Sequence, residues 1–342
     1  MCCLFGIMDC NHRLSNREMN KAVNVLARLS EIRGTDATGI AYNNPYVTNC
    51  IEVEKYPKPA HRIKFRVTDG VHTVMGHTRL TTQGDAAKNR NNHPFTGRSL
   101  TDGYYFALAH NGVLFNDKTL RKQRKLPLTK IETDSYIAVQ LLEQEEIPLD
   151  FQSLKNMAET VEGSFVFTIL DASNQLYFIK GDNPLMIYYF PKSGIYLYAS
   201  LETILQQAMK RCSFLKGEYE KIQLKAGDIL KIDAMGNRSG ETFDASFFDY
   251  SEYYYPCYYG NYGSCYPPYI DISTNADTAS RCLNGKHIRK KAAIKEKDDI
   301  FNMRVDALRH TACMMGYEDT FIDEMLLDGF SLDELESEIY CW

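Results

Sequence analysis

The chain has 342 residues, of which 44% are apolar and 24% charged, and its formal net charge is -5. This length allows one large domain with a smaller one, or two domains, and the acidic balance excludes nucleic acid as the expected main partner. The ten cysteines are irregularly spaced and too few for a disulfide scaffold. The N-terminal apolar stretch is too short for a signal peptide, and no run approaches the roughly 18 apolar residues of a membrane helix. We therefore expect a cytoplasmic protein with reduced thiols and no membrane partner.

The first part of the chain combines one well-marked helix with several strand-like runs. Residues 2–8 predict a buried strand. Ser15 and Glu18 form the pattern of a capping box, and the apolar residues after them recur at helical spacing as far as Gly34, the expected helix stop. Four runs then predict strands, namely "GIAY", "CIEVEKY", "VHTVMGHT" and "YYFALAHNG".

The middle of the chain predicts two helices, at 134–145 and 152–161, followed by a series of strands. These strands are "SFVFTILD", "LYFIKG", "LMIYYF" and "IYLYAS", and the turn "DASNQ" joins the first two as a hairpin. A short helix at 201–210 and a last strand, "AGDILKID", complete the series. Strands in blocks separated by helices indicate stacked layers of sheet and helix rather than βαβ alternation.

The composition changes after about Gly236. Nine of the twenty residues at 250–269 are tyrosine, a pattern that favours either a linker or a contact surface. The basic run "GKHIRKKAAIKEK" is either a solvated helix face or a contact for an anionic partner. An acidic, helix-like tail follows, with a possible capping box at Ser331 and Glu334. We therefore expect a folded domain over 1–235, a Tyr/Gly/Pro-rich linker or extension over 236–285, and a small charged helical segment over 286–342.

The four residues in this region that could bind a metal lack tight ligand spacing, so no metal site is expected. They are Cys257, Cys265, Cys282 and His287.

Cys2 and Cys3 stand directly behind Met1. An N-terminal cysteine combines a nucleophilic thiol with an α-amine of pKa about 7.7–8.0, which can take the thiol proton. This chemistry requires removal of Met1, because an amide nitrogen is not a base. The alternative is that both cysteines are small apolar strand residues. Since strand side chains alternate between faces, Cys3 is expected to point away from a site that contains Cys2.

A series of motifs, in order, resembles the glutaminase domain of class II glutamine amidotransferases, which are N-terminal-nucleophile hydrolases. The motifs are "MCCLFGI", "RGTDATGI", "GHTRLTTQG", "HPF", "LAHNGVL", "ETDSYIAV", "GSFVFTILD", "YASLETIL" and "LKAGDILKID". This domain occurs in glutamine phosphoribosylpyrophosphate amidotransferase, glucosamine-6-phosphate synthase and asparagine synthetase. The resemblance covers residues 2–233 and implies an α+β fold, a four-layer αββα sandwich with a Tyr-rich and then helical C-terminal extension.

The resemblance also implies roles for individual residues. Cys2 matches the nucleophile, and Asn111 with Gly112 matches the oxyanion hole, although "HNG" could also be only a turn. Arg79 matches the arginine that binds the substrate carboxylate, for which a guanidinium fork is suited, and the alternative is a surface ion pair. Asp134 matches the carboxylate that pairs with the substrate amine, and the alternative is a helix N-cap.

Two further residues are expected to help bind the substrate. Thr82 matches a hydroxyl of the loop that follows Arg79, with a loop cap as the alternative. Arg33 matches an arginine near the nucleophile. Leu80 and Tyr136 depart from the family pattern, where an aromatic and an acidic residue often stand, so substrate affinity rather than chemistry is expected to differ.

The implied activity is hydrolysis of the side-chain amide of L-glutamine to glutamate and ammonia through a thioester on the N-terminal cysteine. No metal or organic cofactor is required. The hundred or so residues beyond the resemblance are too few for the known synthase domains, and they contain no P-loop or "SGGxDS" motif, so the ammonia is expected to reach a separate synthase partner. The alternatives are a stand-alone γ-glutamyl amide hydrolase, or a non-catalytic glutamine-sensing or scaffold protein. The sequence leaves the oligomeric state open.

Overall fold

A computed structural model shows the fold of residues 2–246 and 248, together with the isolated helical positions 308, 322, 325 and 335. The chain divides into two units, Met1–Glu252 and Tyr253–Trp342. In the second unit, Leu308, Ile322 and Leu335 are buried. Several sequence features lie outside the described residues: the tyrosine-rich run at 250–269, the basic run at 285–297, Cys257, Cys265, Cys282, His287 and the capping box at Ser331 and Glu334.

Two antiparallel sheets form the centre of the first unit. Within residues 2–246, the first sheet has the strand order β11 (Glu220–Ile222), β9 (Met186–Phe190), β10 (Ile195–Ala199), β1 (Cys3–Asp9), β4 (Thr73–Arg79), β2 (Ala37–Asn43) and β3 (Ile51–Tyr56). The second sheet has the order β13 (Arg238–Thr242), β12 (Asp228–Ile232), β8 (Leu176–Lys180), β7 (Gly163–Asp171), β6 (Tyr105–Leu114) and β5 (Phe95–Arg98).

Helices cover the outer face of each sheet. The helices α1 (Asn16–Ser30) and α5 (Glu202–Arg211) pack on the first sheet, and α2 (Asp117–Gln123), α3 (Tyr136–Gln144) and α4 (Phe151–Thr160) pack on the second. Apolar side chains fill the space between each sheet and its helices, and a third apolar cluster lies between the two sheets. The result is the predicted four-layer αββα sandwich.

The first predicted helix shows how closely local sequence determines local structure. The Ser15 hydroxyl accepts the Glu18 N–H at 3.4 Å, and the Glu18 carboxylate accepts the Ser15 N–H at 2.9 Å, so the predicted capping box is present. The helix ends at Ser30 and a 3-10 turn, Glu31–Arg33, continues to Gly34. Gly34 is extended rather than left-handed, and a Cβ there would lie 2.4 Å from the carbonyl carbon of Arg79. Position 34 therefore requires glycine, because the backbone packs closely beneath the end of β4 there.

Four short elements were not predicted: β5, α2, β11 and β13. The expectation that "AGDILKID" is the last strand was wrong, because β13 pairs with β12 beyond it. All five residues of β13 are exposed, so this strand has no apolar alternation that a sequence pattern could reveal. No helix among the described residues is long and apolar enough to cross a membrane.

Candidate active site

The predicted site residues come from both sheets. Cys2 directly precedes β1, and Arg79 is the last residue of the neighbouring strand β4. Asn111 and Gly112 lie in β6 of the second sheet, and Asp134 lies just before α3. The site therefore depends on how the two sheets pack against each other.

The Cys2 thiol is buried at the start of β1. Its Sγ donates to the backbone oxygen of Leu80 at 3.4 Å, and Nε of Arg33 donates to the backbone oxygen of Cys2 at 2.9 Å. Burial raises the pKa of the thiol, the hydrogen bond to Leu80 and the charge of Arg79 lower it, and the charge of Asp134 raises it. The thiol is thus protonated at neutral pH, so a base is needed to form the thiolate.

Cys3 lies in a different environment. Its side chain belongs to the cluster between the first sheet and α1, together with Phe5 and Ile7, whereas Leu4 and Met8 pack between the sheets. Alternation along the strand therefore puts Cys3 on the helix side. Cys3 acts as a core residue in this fold.

Arg79 is a buried cation, with 2% of its surface exposed. Nη1 donates to Oδ1 of Asn92 at 2.7 Å, and Nη2 donates to the backbone oxygens of Gln83 at 2.6 Å and Gly84 at 3.3 Å. All three acceptors are neutral, and no carboxylate of the described residues lies within ion-pair distance of this guanidinium. The sequence alternative of a surface ion pair therefore does not describe Arg79, which is oriented by neutral groups and retains its charge for an anion.

The backbone around Arg79 is held by the segment that begins with Gly34. The Asp36 N–H donates to the Arg79 carbonyl at 2.9 Å, and the Asp36 carboxylate accepts the Thr81 N–H at 2.7 Å. Asp36 thus fixes the chain as it leaves β4.

Asp134 is a buried carboxylate, with 1% of its surface exposed. Its Oδ2 accepts the backbone N–H of Leu114 at 2.7 Å. Burial raises its pKa to about 6, the N–H groups of Leu114 and Ser135 lower it, and the nearby Asp117 raises it. Helix α3 begins at Tyr136 with Ser135 as its N-cap, so Asp134 holds the end of β6 rather than capping the helix.

Asn111 is fully buried, and neither Oδ1 nor Nδ2 of its side chain has a hydrogen-bond partner among the described residues. A buried amide without partners is costly, which is typical of a group reserved for a ligand. Gly112 follows with φ +148°, and a Cβ there would lie 1.8 Å from the backbone oxygen of Ser164. Only glycine fits this position, so the "HNG" sequence is part of a strand and not a simple turn.

The other predicted residues occupy the rim or the support of the site. Thr82 is exposed on the loop after β4. Arg33 is buried and binds the backbone of Cys2, so its contact is with the proposed nucleophile's main chain. Leu80 is 41% exposed, and Tyr136 is half-buried with its ring 5.5 Å from that of Phe95.

Sequence reasoning missed the residues that orient Arg79. Asn92 is adjacent to the quoted motif "HPF", and Gln83 lies within "GHTRLTTQG", but their contact with Arg79 depends on a loop path that no periodicity reveals. Among the described residues, no three histidine, cysteine, aspartate or glutamate side chains are grouped so that they could hold a metal ion.

A thiol, a cation and an anion therefore influence one another in one buried region, since Arg79 and Asp134 both shift the pKa of Cys2 and also interact electrostatically with each other. Such an arrangement can bind a ligand that carries both a carboxylate and an ammonium group next to a nucleophile.

Comparison with known proteins agrees with this description. Residues 77–207 match the family described as the glutamine amidotransferase domain. The B. subtilis glutamine phosphoribosylpyrophosphate amidotransferase, solved with ADP and GMP, has a TM-score of 0.55 at 20% identity, over 71% of this chain and 49% of its own. Residues 77–207 thus match a glutamine amidotransferase domain, and the first unit has the fold of a solved amidotransferase from the class that the sequence motifs resemble.

Two curated relatives illustrate the extent of the sequence match. The glutamine–fructose-6-phosphate aminotransferase (isomerizing) of Sulfolobus acidocaldarius is 30% identical over 195 residues, which cover 55% of this chain and 31% of the relative. The protein of the same name from Bacillus cereus is 32% identical over 164 residues, which cover 46% of this chain and 26% of the relative. The chain therefore spans less than a third of the length of these relatives.

Proposed function

We propose that this chain hydrolyses the side-chain amide of L-glutamine to glutamate and ammonia, with Cys2 as the nucleophile. The observation that carries the proposal is the buried Arg79 guanidinium, which contacts only neutral oxygens and lies within electrostatic range of Cys2 and Asp134. Free glutamine presents the matching groups, because its α-carboxylate suits Arg79 and its α-ammonium suits Asp134. Thr82 and Arg33 complete the proposed substrate-binding set at the rim and behind Cys2.

The mechanism requires that Cys2 carries a free α-amine, so we propose that Met1 is removed. The amine takes the thiol proton, and Sγ attacks the δ-carbon of glutamine to form a tetrahedral intermediate. The Asn111 amide and the Gly112 N–H stabilise its oxyanion, a contribution worth roughly 10²–10³-fold in rate per donor. The amine then returns the proton to the leaving ammonia, and a γ-glutamyl thioester remains.

Water completes the reaction. The amine of Cys2 accepts a proton from the attacking water, a second tetrahedral intermediate forms at the same carbon, and its collapse expels the thiol and releases glutamate. The unpartnered amide of Asn111 is used in both halves of the reaction. No step needs a metal or an organic cofactor.

The test is labelling with 6-diazo-5-oxo-norleucine, a glutamine analogue that alkylates a nucleophilic thiol with loss of nitrogen. We expect one adduct, on Cys2 of a chain that lacks Met1, and protection by excess glutamine. Intact mass before labelling reports the processing, and peptide mapping locates the adduct.

Two variants form a matched control pair. Cys2→Ser should abolish both labelling and glutamate release, whereas Cys3→Ser, on the opposite face of the same strand, should retain both. A processed wild-type chain that neither labels nor releases glutamate would contradict the proposal, and so would an adduct on Cys3.

We further propose that the ammonia passes to a separate synthase partner. The support is that the similarity to the aminotransferases is confined to 31% or less of their length. Stimulation of glutamine turnover by a co-purifying synthase would support this route. Efficient turnover of varied γ-glutamyl amides by the chain alone would instead indicate a stand-alone hydrolase.

A further inference from the structure

Three buried residues that the proposed mechanism does not use connect the segments that carry its active groups. These residues are His77, His110 and Ser135, here called the linking network. Each has 3% or less of its surface exposed. The inference drawn from them rests on the proposed glutaminase function.

The first link crosses from one sheet to the other. His77 lies in β4 two residues before Arg79, so both side chains point to the same face of the strand, and Met75 on that face packs between the sheets. Nε2 of His77 lies 3.0 Å from the backbone oxygen of His110 in β6. A carbonyl oxygen only accepts hydrogen bonds, so the proton of His77 is on Nε2.

The second link joins β6 to the start of α3. Nε2 of His110 lies 3.4 Å from the backbone oxygen of Ser164, so this nitrogen also carries a proton. Nδ1 is then the acceptor, and the Ser135 hydroxyl donates to it at 2.8 Å. The ring stacks on Phe167 with 4.6 Å between centroids, which fixes its plane.

Burial keeps both rings neutral. It lowers the pKa of His77 to about 3, with the positive charge of Arg79 acting in the same direction, and it lowers the pKa of His110 to about 3. The two tautomers assigned from the carbonyl acceptors are therefore the forms present at neutral pH.

Each member of the linking network is a close neighbour in sequence of one proposed active group. His77 is two residues from Arg79, His110 precedes Asn111, and Ser135 follows Asp134. We infer that His77, His110 and Ser135 are positioning residues, which set the oxyanion donor on β6 against the substrate-binding groups on β4 and before α3. These residues position the group on β6 that donates a hydrogen bond to the oxyanion of the transition state, and they do not contact the substrate. Their loss is therefore expected to lower kcat.

The experiment measures kcat and KM for glutamine in full-length variants made as matched pairs. Ser135→Ala removes the hydroxyl and Ser135→Thr keeps it. His77→Leu removes the donor, whereas His77→Gln places an amide N–H near the position of Nε2. We expect the Ala and Leu variants to lose about 10- to 100-fold in kcat with KM within about 2-fold, since misplacement of a catalytic group by about 1 Å can cost about 100-fold in rate. The Thr and Gln variants should stay within about 3-fold of the wild type.

An unchanged kcat in the Ser135→Ala variant would overturn the inference. A rise in KM alone would also overturn it, because it would mean that Ser135 acts on substrate binding through Asp134. Thermal unfolding shows whether each variant is folded, and the Ser135 pair decides the matter if the Leu variant is not. An inactive wild type would reject the proposed function instead. In that case nitrogen NMR of the histidine rings still tests the network, which requires Nε2–H tautomers for both His77 and His110 at neutral pH.

Discussion

The backbone N–H of Leu114, the last residue of β6, donates to Oδ2 of Asp134 at 2.7 Å. Burial nevertheless raises the pKa of the Asp134 carboxyl from a usual 3.8 to about 6, although the hydrogen bond from Leu114 acts in the opposite direction. The folded protein therefore favours the neutral acid, so ionisation of Asp134 destabilises the fold progressively from about pH 4 to pH 6 and fully above pH 6.

Asp134→Asn should consequently stabilise the protein while weakening substrate binding. The amide keeps an oxygen for the Leu114 N–H and has no charge to bury, so the free energy of unfolding at pH 7 should rise by about 1–3 kcal/mol. The KM for glutamine should rise by at least about 10-fold, since the ammonium loses its counter-ion. Denaturant unfolding and steady-state kinetics measure the two effects, and a variant with lowered stability and unchanged KM would contradict the assignment.

The same carboxylate predicts a pH dependence of glutamine affinity. As the pH falls below about 6, Asp134 takes up a proton and no longer pairs with the substrate ammonium. Measured by calorimetry in an inert Cys2→Ala variant, the dissociation constant should rise about tenfold per pH unit in this range. Adding Asp134→Asn to that variant should remove the slope, and a slope that persists would assign the titration to another group.

Because the buried amide of Asn111 has no partner among the described residues, its replacement should raise the stability of the protein and lower its activity. Asn111→Leu removes a buried polar group that has no partner among the described residues, so the free energy of unfolding should rise by about 1 kcal/mol while kcat falls by roughly 10²–10³-fold. Asn92→Leu is the control. Asn92 is equally buried but bonds to Arg79 and to the Ala86 carbonyl, so this change should destabilise the protein.

Substitution by alanine should destabilise the protein far more at Gly112 than at Gly217, a glycine that also has a positive φ. Gly217 has φ +130° and open space around a Cβ, so Gly217→Ala carries only backbone strain, about 1–3 kcal/mol. Gly112→Ala adds a collision with the backbone oxygen of Ser164. Its loss of stability should exceed that of Gly217→Ala, or the variant should yield no soluble protein, and equal stabilities would show that the strand shifts to admit the methyl group.

The sequence allowed the layered fold and most element positions to be predicted, because the information is local. The capping box of α1 and the apolar runs of β1, β7 and β10 are examples. The short β5 and the exposed β13 were missed because neither has a periodic apolar face of useful length. The site residues stood in recognisable motifs, and their roles stay predictions. The contacts of Asn92 and Ser135 could not be predicted, since they join segments that are distant along the chain.

The path of the chain between the sheets has a practical consequence. Strands β1–β4 and β9–β11 build the first sheet, and β5–β8 with β12 and β13 build the second, so every single cut between β1 and β13 divides at least one sheet. A cut in the exposed turn at residues 100–103 would put Cys2 and Arg79 on one fragment and Asn111 and Asp134 on the other. The proposed glutaminase would then behave as a split reporter, with two silent fragments whose signal returns only when they reassemble.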